Sequence, residues 1–119
     1  MYKQGEILLI TLPFSNLKSS KQRPVLVISN DEYNIKSEDI IVAAITSNIC
    51  RRDNSLIIDN NDLIEGSLRM DSCIRSDKLF TLSQTIVIKK FGKVRHSVIN
   101  QVTNNIVELV SSNDTAYKI

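Results

Sequence analysis

Apolar residues along this 119-residue chain gather in short aliphatic runs as far as about residue 94, then switch to a spacing of four. In Glu6–Leu12, Ile7, Leu9 and Thr11 share one face of an extended chain, and Leu8, Ile10 and Leu12 share the other. A run apolar on both sides predicts a strand that is covered twice or wraps into a barrel. Gly5 opens it, and Pro13, which has no N–H for a ladder, ends it. Phe14 to Gln22 reads as a polar, exposed loop. Pro24–Ile28 and Ile40–Ile45 are the next two strands, joined by a polar connection over Asn30–Asp39. Ser55–Ile58 is a short strand, and Asp59-Asn60-Asn61-Asp62 is a turn cluster that leads through Leu63–Gly66. Ser67–Ile74 reads as strand in its second half. Arg75–Lys78 breaks the pattern, Leu79–Leu82 resumes it, and Gln84–Phe91 is a last strand closed by Gly92. From about Arg95 to Ser112, the stripe Val94, Val98, Val102, Ile106 and Val110, flanked by Ile99 and Leu109, predicts an amphipathic helix.

Five to seven short strands and one terminal helix predict a mainly β (α+β) fold. Its form is a small, strongly curved antiparallel sheet or SH3-like barrel with a C-terminal helix. Residues 1–112 are expected to be a single domain and 113–119 a frayed tail.

Composition narrows the partners. With 42% hydrophobic residues, 24% charged residues and a net charge of +2, the chain has ordinary globular values, so attraction to phosphate must come from local clustering. Trp is absent and aromatics are few, which supplies little for a base-stacking platform. Cys50 and Cys73 are too far apart for a CxxC motif, and with one His they make no zinc set. The N-terminal run is too short for a signal peptide, and no stretch approaches the roughly 18 to 20 apolar residues of a membrane span. A cytoplasmic protein with reduced thiols is expected.

The residues able to do chemistry sit where apolar strands end. Arg23 precedes Pro24, which holds it in extended backbone and so sets the direction of its guanidinium. Thr46 and Ser47 end the third strand, although hydroxyls there also commonly satisfy turn backbone. In extended chain Arg75 and Asp77 point to one side, close enough to pair; as a surface pair they would contribute little to stability. Strand ends of a small barrel can converge, and a fixed cation beside fixed hydroxyls is a means of holding a phosphate. His96, at the helix start between Arg95 and Ser97, reads as solvated. No GxSxG, P-loop or HExxH motif occurs, and three glycines cannot build a glycine-rich phosphate loop.

Several of these segments together resemble the MazF/PemK family of toxins. They are Gly5-Glu6-Ile7, Pro13-Phe14, Lys21–Ser29 (KQRPVLVIS), Ala43–Ser47 (AAITS), Ile74–Lys78 (IRSDK) and the closing helix. The resemblance implies a CcdB/PemK-like fold and a sequence-selective endoribonuclease that cuts single-stranded RNA, mRNA included. It further implies no metal or other cofactor, a homodimer with RNA in a groove across its interface, and a cognate antitoxin that blocks the groove. Operator DNA would be bound only together with that antitoxin. By motif, Arg23 and Thr46 carry over as catalytic, and Arg75 and Asp77 match an R-x-D pair that is catalytic in some members. Lys21, Gln22, Ser47 and Lys78 beside them are candidates for binding RNA; Lys18, Arg51 and Arg52 could steer it. Some members place a glutamate in the loop before the RP arginine. This loop has no acid, so the base for a 2′-OH would come from elsewhere. Asp77 is the better candidate, because arginine's pKa above about 12 makes it a poor base. Two other readings share the fold: a CcdB-like, gyrase-binding toxin, for which the tryptophan is missing near Ala116-Tyr117-Lys118-Ile119, and an inactive interaction module.

Overall fold

The computed structural model describes residues 1–12, 21–48 and 54–112. The expected loop over 14–20, the segment carrying Cys50, Arg51 and Arg52, Lys18, and the tail from 113 lie outside the described residues. Seven strands form one sheet: β1 (Glu6–Leu12), β2 (Lys21–Val27), β3 (Asp39–Thr46), β4 (Ser55–Ile58), β5 (Leu63–Gly66), β6 (Ser72–Ser83) and β7 (Val87–Val94). Their order is β4-β6-β3-β2-β1-β7-β5, and each described pairing is antiparallel. The sheet curls into a half-barrel, the curved antiparallel form expected from the pattern. Helix α1 (Asp31–Lys36) interrupts the connection between β2 and β3, and α2 (His96–Val110) ends the described chain.

Each face of the sheet carries a buried apolar cluster, as the doubly apolar β1 requires. On one face Ile7, Leu26, Ala43, Ile45, Ile58 and Ile74 pack with Val98, Ile99 and Val102 of α2. On the other, Leu8, Ile10, Val25, Val27, Ile40 and Val42 form a second cluster. Along β1, β2 and β3 successive residues alternate between these two clusters, so cluster membership identifies the face of positions in these strands.

Five features differ from the sequence expectation. β2 begins at Lys21 rather than Pro24. Pro24 pairs with Leu9 of β1, but the ladder to β3 has ended by Val25↔Ala44, so this part of β2 is effectively an edge, which tolerates a missing N–H. The connection Asn30–Asp39 contains α1, whose N-cap Asn30 accepts from the Tyr33 N–H; six residues are too few to show a helical period. Leu63–Gly66 is a strand on the sheet edge. The break at Arg75–Lys78 is not an end: β6 runs through it, and on β3 the register steps from Ala43↔Leu79 to Ala44↔Arg75. Ser76, Asp77 and Lys78 are therefore looped out of the ladder as a bulge, which bends the strand. The Ser76 N–H donates to the Asn54 carbonyl (3.1 Å), tying that bulge to the residue before β4. Finally, β7 starts after a 3₁₀ turn at Gln84–Ile86 and continues past Gly92 to Val94.

The stripe on α2 is only partly used. Val98, Ile99 and Val102 are buried, whereas Leu109 and Val110 are 46% and 77% exposed. Among the described residues, no helix is long and apolar enough to cross a membrane.

Candidate active site

Arg23, Thr46 and Arg75 lie on three neighbouring strands, β2, β3 and β6, with their side chains on one face. Val25 pairs with Ala44 in the last ladder pair between β2 and β3, and by alternation Arg23 and Thr46, two residues beyond each, lie on the face of that pair. On the other side of β3, Thr46 pairs with Cys73 and Ala44 with Arg75. Arg75 is thus the diagonal neighbour of Thr46, at roughly 7–8 Å between backbones. All share the face of Val25 and Val42, away from α2.

The three differ in setting. Arg23 is exposed at the open end of β2. Thr46 is half-buried, and its Oγ1 accepts from the Asn48 N–H (3.1 Å), which leaves its own hydroxyl proton to donate to another group. Arg75 is buried. Its Nε donates to Asp77 Oδ1 (2.9 Å) and its Nη2 to Asp77 Oδ2 (2.8 Å), a two-pronged fork. The Asp77 side chain keeps 26% of its surface in solvent against 10% for Arg75. The bulge makes the fork possible, because it frees Asp77 from the ladder while Arg75 remains in it.

The binding candidates are divided by the sheet. Lys21 alternates onto the face of Arg23. Gln22 falls on the opposite face, Ser47 is exposed just past the end of β3, and Lys78 is exposed on the bulge. His96 is exposed at the start of α2, outside this cluster.

Sequence reasoning missed a cavity of about 450 Å³ on the face of Gln22. Ile7, Leu9, Pro24 and Ile45 form its floor, and Leu68 and Met70 part of its wall. Apart from the alternation in β2, no signal in the chain pointed to it, because its wall comes from the segment between β5 and β6.

These features define a small curled-sheet protein with two arginines and a hydroxyl on one face of three adjacent strands. Residues 3–110 match the family model described as PemK-like, MazF-like toxin of type II toxin–antitoxin system, and the chain belongs to that family. No curated protein matches the sequence. Among solved structures, the chain is similar to an endoribonuclease in complex with its cognate antitoxin from a mycobacterial species, at 15% identity and a TM-score of 0.75, covering 91% of this chain and 93% of that one. It is also similar to MazF in the MazE–MazF complex of Deinococcus radiodurans, at 15% identity and a TM-score of 0.74, over 92% and 95% of the two chains. Toxin MazF-mt6 of Mycobacterium tuberculosis aligns at 19% identity with a TM-score of 0.70, over 87% and 93%. At these identities the likeness concerns the fold.

Proposed function

We propose that this chain is a sequence-selective endoribonuclease that cleaves single-stranded RNA, mRNA included, without a metal, as the toxin of a toxin–antitoxin pair. The observation that supports this reading is that Arg23, Thr46 and Arg75, on three adjacent strands, share one face of the sheet. Family membership and the antitoxin complexes of its structural neighbours support a cognate antitoxin as partner. A homodimer, a cytoplasmic site of action and operator binding only with the antitoxin belong to the same proposal.

The nucleophile is the RNA's own 2′-OH. Its oxygen forms a bond to the adjacent phosphorus while the bond from phosphorus to the 5′ oxygen breaks. The products are a 2′,3′-cyclic phosphate and a 5′-OH, and the proton lost by the 2′-OH is regained, through solvent, at the leaving oxygen. Arg23 and Arg75 donate to the non-bridging oxygens, where charge accumulates; one such fixed donor is worth about 10²–10³ in rate. Thr46 holds the reacting linkage in line through its free hydroxyl proton. Asp77 already spends a lone pair of each oxygen on Arg75, and a carboxylate forked by a guanidinium is a weaker base than a free one. Its role in this mechanism is to aim Arg75 rather than to take the proton.

The test is incubation of the purified protein with mixed RNA in EDTA, followed by mapping of the ends. Cyclic phosphate and 5′-OH ends are expected, with Arg23→Ala slower by about 10²–10³. A substrate with a single deoxyribose at the cleavage position should bind and remain whole. Cutting of that substrate would refute the mechanism, and wild-type protein that leaves all RNA intact would favour a binding role.

A further inference from the structure

We infer that the cavity on the reverse face of β2 is a pocket for a nucleobase of the same RNA strand, and that it sets part of the sequence preference. This rests on the nuclease reading above and adds to it a place where one base is chosen.

Three observations support the inference. The first is position. Gln22 and Pro24 line the cavity, and Arg23 stands between them on the other face, about 3.8 Å along the backbone from each. Beyond Val25↔Ala44 no ladder pair joins β2 to β3, so the phosphate-facing and cavity-facing residues lie together at open strand ends. A single strand that crosses those ends meets both faces in succession.

The second is shape and chemistry. Pro24, Ile45, Leu68, Met70 and the aromatic Phe91 give the cavity an apolar lining, to which Gln22 adds an amide. An amide both donates and accepts, so Gln22 can read a base edge, while Phe91 offers the stacking surface that the sequence had seemed to lack. Lys89 Nζ lies over the Phe91 ring, 5.1 Å from its centroid, so the aromatic group carries a cation at the cavity. That pairing, a ring for the base and a charge for its phosphate, is how single strands are commonly held.

The third is charge. Arg69 and Lys89 line the cavity, and no carboxylate does among the described residues. Arg23 and Lys21 continue the positive track around the strand end. An anionic chain that carries planar apolar groups fits this lining better than a neutral or basic segment. Met70 is 60% exposed and Phe91 37% exposed, so both are open to such a ligand.

The experiment compares wild type with Phe91→Ala and Met70→Ala on a pool of single-stranded RNA of randomised sequence, sequencing the cut ends. Thermal melting of each variant confirms the fold, and inhibition by an antitoxin-derived peptide is measured in parallel. The expected result is a weakening of base preference at one position near the cut by about 5- to 100-fold, the span that loss of one stacking side chain covers. Total cutting of the pool should change far less. Folded variants with the wild-type sequence profile would overturn the inference, and so would loss of peptide inhibition with that profile unchanged, which would assign the cavity to the antitoxin. Failure of the wild type to cut at all would instead strike the nuclease reading itself, so the two failures are distinguishable.

Discussion

Asp77→Asn separates two roles for the carboxylate. The substitution keeps the size of the side chain but removes its charge and turns one acceptor into an amide, which then faces a guanidinium N–H, donor against donor. Breaking a fully buried ion pair costs about 3–5 kcal/mol. Here a quarter of the Asp77 side chain is in water, so solvent screening and partial rehydration reduce the expected loss to about 1–3 kcal/mol. In a domain of this size that is a fall in melting temperature of about 3–12 °C. If Asp77 aims Arg75, RNA cleavage should slow by about 10- to 100-fold, less than the 10²–10³ expected for deletion of a donor outright. The shape of the pH–rate profile should be retained. Arg75→Lys keeps the charge but cannot make the fork, and it should lose a similar factor; the double variant should be little worse than either single one. Initial rates on a fluorogenic RNA between pH 5 and 9 measure this. Loss of the acidic limb in Asp77→Asn, with a slowing of 10³ or more, would identify Asp77 as the base and refute the aiming role.

Three further expectations concern stability. Gly66 has φ +77°, and a Cβ there would drive into the Phe91 carbonyl; Gly66→Ala should detach β5 from β7 and cost at least about 2 kcal/mol in urea unfolding. Asn34 is fully buried, its Nδ2 donating to the carbonyls of Tyr2 and Ser29 (3.1 Å each) and its Oδ1 accepting from the Ser29 hydroxyl; Asn34→Ala should cost about 2–4 kcal/mol by the same measurement. Lys90 binds Glu65 Oε2 (2.6 Å) and Glu6 Oε2 (2.9 Å). Its hydrogen bond and charge hold the Glu65 carboxyl below the usual 4.5. The hydrogen bonds to Glu65 and then Glu6 hold the ammonium above 10.5. A depressed acid stabilises above its ordinary value and loses this as pH falls through the folded value; a raised base stabilises below 10.5 and loses this as pH rises beyond it. Lys90→Met should therefore flatten both small shoulders in a plot of melting temperature against pH, and unchanged shoulders would refute the assignment.

The sequence by itself determined the elements and the chemistry available to them. Period-two runs placed β1, β3 and β4 within a residue or so, and the step of four placed α2, because these patterns depend only on how side chains project from local backbone. It also offered Arg23, Thr46, Arg75 and Asp77 as candidates, since a polar group that borders an apolar run is visible without knowing where the strand goes. The tertiary structure decided which of these groups share a face. That follows from register, a relation between residues far apart in the chain, and a shift of one residue would send any of them to the other side of the sheet. The bulge that aims Asp77 at Arg75 looked in the sequence like the end of a strand, and α1 was too short to show a period. The cavity behind Arg23 left almost no trace in the chain, because its floor comes from three strands and its wall from a segment forty residues away, brought together only by the curl of the sheet.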